Sequence, residues 1–180
     1  MILVVSAHPY PDRSIANRAL SSAIADLGGV ERRSLYELYP DLCVDAEAEQ
    51  RALVEAHTVV WQHPLYWYSV PALLKLWFEK VLARGWAYGS ARALAGKACL
   101  WVATTGGELD AYASDRPHGE PFDEFEPPVR QTARFCGMRW LEPMIVHGAH
   151  QLSSAELAAR GAEYRARLVS LGAREGSLDE

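Results

Sequence analysis

Short apolar runs alternate with longer amphipathic segments along most of this chain. Helical segments between short apolar runs are typical of βαβ units, and a parallel sheet covered by helices needs strands that are apolar on both faces. The run at 30–35 carries Glu31, Arg32 and Arg33, which favours an edge strand exposed on one side. The other predicted strands are 2–6, 58–62, 98–104 and 143–147. The pattern therefore predicts an α/β fold with a five-stranded parallel sheet and helices on both faces.

Helices are predicted in the connections between these strands and after the last one. Their approximate ranges are 14–27, 46–56, 71–83, 122–136 and 153–171. Five parallel strands joined in this way fit the doubly wound order 2-1-3-4-5, in which ligands bind at the carboxyl ends of the strands where the winding reverses. With 180 residues the chain fits a single domain over 1–175, followed by a polar tail at 176–180. The loops after the first, third and fourth strands are therefore the first candidates for a site.

Charge, cysteine content and hydropathy exclude several classes of protein. A net charge of -5 argues against a nucleic-acid surface. The three cysteines, Cys43, Cys99 and Cys136, show no CxxC spacing, so neither a disulfide framework nor a zinc ribbon is expected. His147 and His150 have HxxH spacing but lack further ligands, so no metal is assigned. No signal peptide and no apolar stretch of bilayer length is found, which predicts a cytoplasmic protein, either free or peripheral at the inner face of the cell membrane.

The loop after the first predicted strand leads from a buried strand into a helix. It contains neither GxGxxG nor the GK[ST] ending of a P-loop. A helix amino terminus still offers unpaired N–H groups and the positive end of a dipole, and Ser14 and Asn17 add side-chain donors beside it. These features predict a phosphate site. The alternative is that Ser14 is only an N-cap and His8 only a loop histidine.

The loop after the third predicted strand concentrates aromatic rings where a loop is usually polar. Tyr66, Trp67 and Tyr68 precede Pro71, which fits the first turn of the next helix and leaves them in the loop. A flat conjugated cofactor needs such an aromatic floor. Trp77 and Phe78 are better explained as core residues of the helix. The loop thus predicts a site for a planar ligand.

The loop after the fourth predicted strand contains Gly106 and Gly107, which allow a backbone to approach a ligand closely. Tyr112 and His118 follow in a polar, proline-containing stretch. A histidine that titrates near neutrality and a tyrosine hydroxyl can exchange the protons that accompany hydride transfer. The alternative is that His118 is a surface histidine without a partner.

Taken together, these motifs resemble the NAD(P)H:quinone oxidoreductase family, and within it the ancillary subunits of glutathione-regulated potassium-efflux (Kef) systems. The motifs are Ala7-His8-Pro9, the SIAN segment at 14–17, the run WQHPLYWYSVPALLKLWFEKVLARGWAYG from Trp61 to Gly89, and Thr104-Thr105-Gly106-Gly107. The resemblance implies a flavodoxin-like fold, a homodimer with an active site at each interface, and a non-covalent flavin. FMN is expected, with FAD as the alternative, because the long carboxyl-terminal extension of the mammalian quinone reductases is missing.

The resemblance also implies roles for individual residues. The flavin phosphate would be held by His8, Ser14, Ile15, Ala16 and Asn17. The isoalloxazine ring would be lined by Leu65, Tyr66, Trp67 and Tyr68. Its other edge would be bound by Thr105, Gly106, Gly107 and Glu108. Tyr112 and His118 match the tyrosine and histidine that balance charge on the reduced flavin in quinone reductases.

The expected activity is a two-electron transfer from NAD(P)H through FMN to a quinone or similar electrophile. In this cycle NAD(P)H leaves before the acceptor binds over the same flavin face. One alternative is a regulatory subunit that activates a glutathione-gated potassium/proton antiporter, with reductase activity secondary. Another is a one-electron flavodoxin carrier, although such carriers are usually more acidic than this chain.

Overall fold

Six parallel strands form the central sheet of the computed structural model, which describes residues 1–175. They are β1 (Ile2–Ser6), β2 (Val30–Ser34), β3 (Thr58–Pro64), β4 (Ala98–Thr104), β5 (Arg139–Trp140) and β6 (Met144–Val146). Their order is β2-β1-β3-β4-β5, and β6 also pairs with β4. The predicted doubly wound order and the edge position of the charged strand β2 are confirmed. The polar tail predicted at 176–180 lies outside the described residues.

The last position of the sheet differs from the prediction of one strand at 143–147. Two short strands occupy it: β5 pairs with Ala98 and Cys99, and β6 pairs with the last three residues of β4. Pro143 lies in the gap between them and has no N–H to donate to the neighbouring strand. The ladder is therefore interrupted where a continuous strand was predicted.

Helices cover both faces of the sheet, as predicted. They are α1 (Ala16–Ala23), α2 (Leu35–Leu38), α3 (Ala46–Glu55), α4 (Ala72–Val81), α5 (Glu126–Phe135) and α6 (Ser154–Ser170). The one-turn helix α2 was not predicted, and α5 begins later than expected because a 3-10 turn, Phe122–Phe125, precedes it. No helix among residues 1–175 is both long and apolar enough to span a bilayer.

Alternating side chains of the central strands form two separate cores. Leu3 and Val5 of β1 point to the face that is covered by α3, α4 and α5, whereas Ile2 and Val4 point to α1 and α6. Trp77 is fully buried in the first core, and Phe78 beside it is 9% exposed, as predicted for core residues. Because both faces are covered, the carboxyl ends of the strands remain the open edge of the sheet, where the connecting loops meet.

A fully buried carboxylate, Glu49 on α3, joins several elements on the first face. Its Oε1 accepts hydrogen bonds from Nε and Nη2 of Arg33 at 2.8 and 2.6 Å and from the Tyr39 hydroxyl at 2.6 Å. Its Oε2 accepts one from Nε1 of Trp77 at 2.9 Å. The charge and hydrogen-bonding capacity of this carboxylate are thus satisfied by partners on β2, at the end of α2 and on α4.

Candidate functional site

A cavity of about 220 Å³ lies at the carboxyl ends of β1, β3 and β4, between the three loops singled out by the sequence. Most residues predicted to bind a cofactor line it. They are His8, Ser14, Ile15, Ala16, Asn17, Leu65, Tyr66, Thr105 and Gly106. The cavity lining does not include Trp67, Tyr68, Gly107 or Glu108, whose positions are described below. The fold therefore brings the phosphate motif, part of the aromatic loop and the start of the glycine loop together.

The first loop places the amino terminus of α1 at this cavity. A 3-10 turn, Pro11–Arg13, precedes α1, and the N-cap position is held by Ile15 without a side-chain hydrogen bond. The interpretation of Ser14 as only an N-cap is therefore wrong. Ser14 is instead buried in the cavity wall. The first N–H groups of a helix have no intrahelical partner, so they and the Ser14 hydroxyl can serve an anion.

Asn17 and His8 complete this wall with defined donors and acceptors. Asn17 is 7% exposed and donates through Nδ2 to Oγ1 of Thr104 at 2.8 Å, while its Oδ1 has no partner within residues 1–175. Nδ1 of His8 accepts a hydrogen bond from the Tyr10 backbone at 3.0 Å, so the proton of the neutral ring lies on Nε2. Burial lowers the pKa of His8. The wall thus offers an N–H donor and an unpaired buried acceptor.

The aromatic loop is a strained two-residue turn. Tyr66 and Ser69 exchange two backbone hydrogen bonds of 3.0 Å, and the residues between them, Trp67 and Tyr68, have φ values of 48° and 62°. This left-handed geometry favours Asn and Gly and costs non-glycine residues about 1–3 kcal/mol each. The turn separates the rings: Tyr66 lines the cavity, Tyr68 contacts His118, and Trp67 is 92% exposed. The structure therefore does not bring all three rings to the cavity.

The glycine loop is held by backbone hydrogen bonds to the last residue of β6 and to the turn after it. Thr105 donates to the Val146 carbonyl at 2.9 Å, and Gly148 donates to the Gly107 carbonyl at 2.9 Å. Gly107 has little space for a side chain, because a Cβ there would lie 2.7 Å from Nε2 of His118. A Cβ on Gly106 would be 3.5 Å from the nearest atom of His150, an ordinary contact. Gly107 thus makes room for the histidine beside the loop.

Glu108 follows this loop and its side chain is exposed. A Cβ built on Gly148 would lie 3.1 Å from Cγ of Glu108, so this side chain passes close to the turn after β6. Glu108 is therefore near the loop that it was predicted to complete, without lining the cavity.

Tyr112 and His118 form a stacked pair next to the loop. Their ring centroids are 4.2 Å apart with an interplanar angle of 9°, and Nδ1 of His118 lies 3.4 Å from the Tyr68 hydroxyl. The interpretation of His118 as a histidine without partners is wrong. Tyr112 is 8% exposed, and burial raises its pKa. The two predicted proton-exchanging groups are therefore adjacent to one another.

Sequence reasoning missed other residues at or below the cavity. Tyr10, Arg13 and His150 line it. Below it, the completely buried His63 accepts a hydrogen bond at Nε2 from Trp101 at 2.8 Å and donates from Nδ1 to the Pro64 carbonyl at 2.8 Å. Burial lowers the pKa of His63 to about 4. A histidine at the end of an apolar strand was the only signal for it.

The part of the chain that the structure describes contains no arrangement of side chains suited to bind a metal ion. No group of three or more His, Cys, Asp or Glu residues there could hold an ion. His147, from the HxxH pair, contacts Oγ1 of Thr105 through Nδ1 at 3.1 Å. One member of that pair is therefore bonded to the glycine loop, and the other lines the cavity.

Comparisons with known proteins agree with this architecture. A family model described as Flavodoxin-like fold (Flavodoxin_2) matches residues 1–168. The glutathione-regulated potassium-efflux system ancillary protein KefF of Klebsiella pneumoniae strain 342 is 48% identical over 170 residues, which is 94% of this chain and 95% of that protein. General stress protein 14 of Treponema denticola, solved in complex with FMN, has a TM-score of 0.86 at 32% identity and covers 94% of this chain and 98% of its own. An NADPH-quinone reductase of P. pentosaceus has a TM-score of 0.84 at 28% identity and covers 93% and 96%.

Proposed function

This chain belongs to the Flavodoxin_2 family of flavodoxin-like proteins, and we propose that it is an FMN-dependent oxidoreductase that transfers two electrons from NAD(P)H to a quinone or similar electrophile. Residues 1–175 would act as one flavodoxin-like domain. The observation that carries the proposal is the meeting of an anion-suited helix terminus, an aromatic residue and a glycine loop at one cavity. Two similar proteins support the proposal: one was solved in complex with FMN, and the other is an NADPH-quinone reductase.

The cavity wall fits the polar part of FMN. A phosphate needs several donors, and the amino terminus of α1, the Ser14 hydroxyl, the Nε2 proton of His8 and the Arg13 guanidinium are all at the wall. The buried Oδ1 of Asn17 needs a donor, which a ribityl hydroxyl can supply. Each unpaired group at this wall therefore has a counterpart in FMN.

The remaining residues would surround the ring system and control protons. Leu65 and Tyr66 supply apolar and aromatic surface, and the Gly106 backbone offers its N–H and C=O groups to a polar ring edge. The bound flavin would supply the redox chemistry, by accepting a hydride and passing two electrons on. Tyr112 and His118 would hold the proton that balances this charge, since a phenol and an imidazole are in contact there.

A homodimer is part of the proposal. An apolar groove of about 420 Å³ runs between α4 and α5, and Phe135 at its rim is 59% exposed. Ser69 lines this groove, and the exposed Trp67 lies two residues before it in the sequence. A second copy that covered the groove and Trp67 would bring apolar surface next to the aromatic turn of the candidate site.

A second function has its own support. The relatives named KefF are 46–48% identical along nearly their whole length. We propose, as an alternative, that the chain is a cytoplasmic-side ancillary subunit that activates a glutathione-gated potassium/proton antiporter, with reductase activity secondary. Membrane vesicles that contain such an antiporter separate the roles: an ancillary subunit binds the vesicles and raises potassium flux, whereas a free-standing reductase does neither.

Purification followed by a visible spectrum and an anaerobic NAD(P)H titration tests the central proposal. We expect a yellow protein whose flavin absorbance bleaches with NAD(P)H and returns when a quinone is added. A Ser14→Ala variant should bind FMN about tenfold more weakly because a buried hydrogen bond is lost. Ser22→Ala, on the exposed side of α1, is the matched control. A colourless protein that FMN does not reconstitute would defeat the proposal.

A further inference from the structure

The turn after β6 contributes a side chain as well as backbone to the glycine loop. Its backbone makes bonds to the loop at both Thr105 and Gly107, and the N–H of Ala149 donates to the Thr105 carbonyl at 2.8 Å. His147 is the first residue of this turn and is half-buried. Its Nδ1 is 3.1 Å from Oγ1 of Thr105.

The direction of this hydrogen bond follows from counting protons. The Thr105 hydroxyl has a single proton, and it lies 2.7 Å from the Gly107 carbonyl, which can only accept. The hydroxyl proton is therefore committed to Gly107. The bond to His147 must then be donated by the imidazole, so the proton of a neutral His147 lies on Nδ1.

Tyr112 packs against the same group of atoms. Its ring centroid is 5.8 Å from that of His147, and the Phe122 ring contacts His147 edge-on at 4.8 Å. A Cβ on Gly107 would lie 3.2 Å from Cε2 of Tyr112, so the ring rests directly on the loop. His147 thus bonds to the Thr105 side chain and also packs beside the ring of Tyr112.

We propose that His147 is a positioning residue: its Nδ1 donates to Oγ1 of Thr105, and the ring held by this bond fixes the place of Tyr112 beside the glycine loop. This assignment rests on the proposed function, in which Tyr112 manages a proton. Because the backbone bonds from Val146, Gly148 and Ala149 remain without the imidazole, loss of the ring leaves the loop in place. It removes a donor to Oγ1 of Thr105 and the ring beside which Tyr112 packs, so the tyrosine can shift.

Three variants test the effect of His147 on turnover. His147→Leu removes the donor, whereas His147→Asn returns an amide N–H at about the position of Nδ1. We expect kcat to fall about tenfold in His147→Leu, with KM and the Kd for FMN within about threefold of wild type, and to recover in His147→Asn. His57→Leu is the matched control, because Nδ1 of His57 contacts Oγ1 of Thr58 at 3.0 Å at the opposite end of the sheet.

A purely structural histidine would change KM, the Kd for FMN or thermal stability as well as kcat. The proposal is overturned if His147→Leu keeps the wild-type kcat, or if His147→Asn is as slow as His147→Leu. Equal losses in kcat and FMN affinity would also overturn it, since the backbone bonds should preserve the loop.

NMR on the flavin-free, 15N-labelled protein gives a readout independent of turnover. Long-range imidazole correlations at pH 8, assigned with the His147→Asn variant, should show His147 with its proton on Nδ1, and Thr105→Val should abolish that preference. A proton on Nε2 would overturn the proposal. If the wild-type protein with FMN reduces no quinone, the proposed function fails, and the tautomer still decides whether His147 holds Thr105.

Discussion

Replacing Glu49 by Gln should strongly destabilise the fold. The Gln side chain has nearly the same size, but it has no charge and presents an NH₂ group in place of one carboxylate oxygen. That NH₂ group must face either Arg33 and the Tyr39 hydroxyl or Nε1 of Trp77, all of which donate to Glu49 in the wild type. At least one buried donor then loses its acceptor, and the Arg33 charge keeps only the partly exposed Glu31 carboxylate, at 3.3 Å, as a counter-charge.

The size of the effect follows from burial. The Glu49 side chain is fully buried and that of Arg33 is 19% exposed, so solvent screens their interaction poorly. Breaking a buried ion pair from one side costs about 3–5 kcal/mol, and the oxygen that Gln keeps favours the lower end. For a chain of this length about 3 kcal/mol corresponds to a fall in Tm of roughly 6–12 °C.

Urea unfolding of the flavin-free protein, followed by far-UV circular dichroism, measures this change. Glu47→Gln is the matched control, since Glu47 lies on the same helix, is 88% exposed and is 3.8 Å from Arg51. We expect a clear shift of the urea midpoint for Glu49→Gln and none for Glu47→Gln. Equal midpoints for the two variants would show that the buried carboxylate contributes no more than an exposed one.

Further predictions concern the site. The pKa of His63 is about 4 in the folded protein, below its unfolded value, so the free energy of unfolding should fall by about 3 kcal/mol as the pH drops from about 6.5 to 4. Urea titrations at several pH values measure this loss, and the His63→Asn variant should not show it. Gly107→Ala should displace His118 from Tyr112 and lower turnover, whereas Gly106→Ala should leave the two rings stacked; crystal structures of both variants decide this. The double variant Tyr112→Phe, His118→Ala should lower kcat about a hundredfold and retain FMN, and unchanged steady-state kinetics would remove their catalytic role.

The strand order was predictable because buried parallel strands require apolar runs, and these runs are separated by helices. Boundaries were less predictable where a single residue changes the hydrogen bonding. Pro143 interrupts the last strand, and the segment before α5 forms a 3-10 turn. Both effects depend on how a backbone pairs or turns locally, which hydropathy does not encode.

The composition of the candidate site was largely predictable, because the loops at one edge of a doubly wound sheet meet. The orientation of its side chains was not. Trp67 and Tyr66 are neighbours in the sequence, but a left-handed turn sends only one of them to the cavity. The bonds of His63 and His147 join residues that are distant in sequence, so the protonated nitrogen of each ring could be assigned only from the structure.

The interrupted last position of the sheet also affects how this protein can meet other chains. A long, regular edge strand is a template on which a foreign strand can add and start aggregation. Here one edge is divided between β5 and β6, of two and three residues, and the opposite edge, β2, carries Glu31, Arg32 and Arg33. Neither edge offers a long apolar ladder. Association should therefore proceed through helices and loops, and the sheet itself is protected against growth into fibrils.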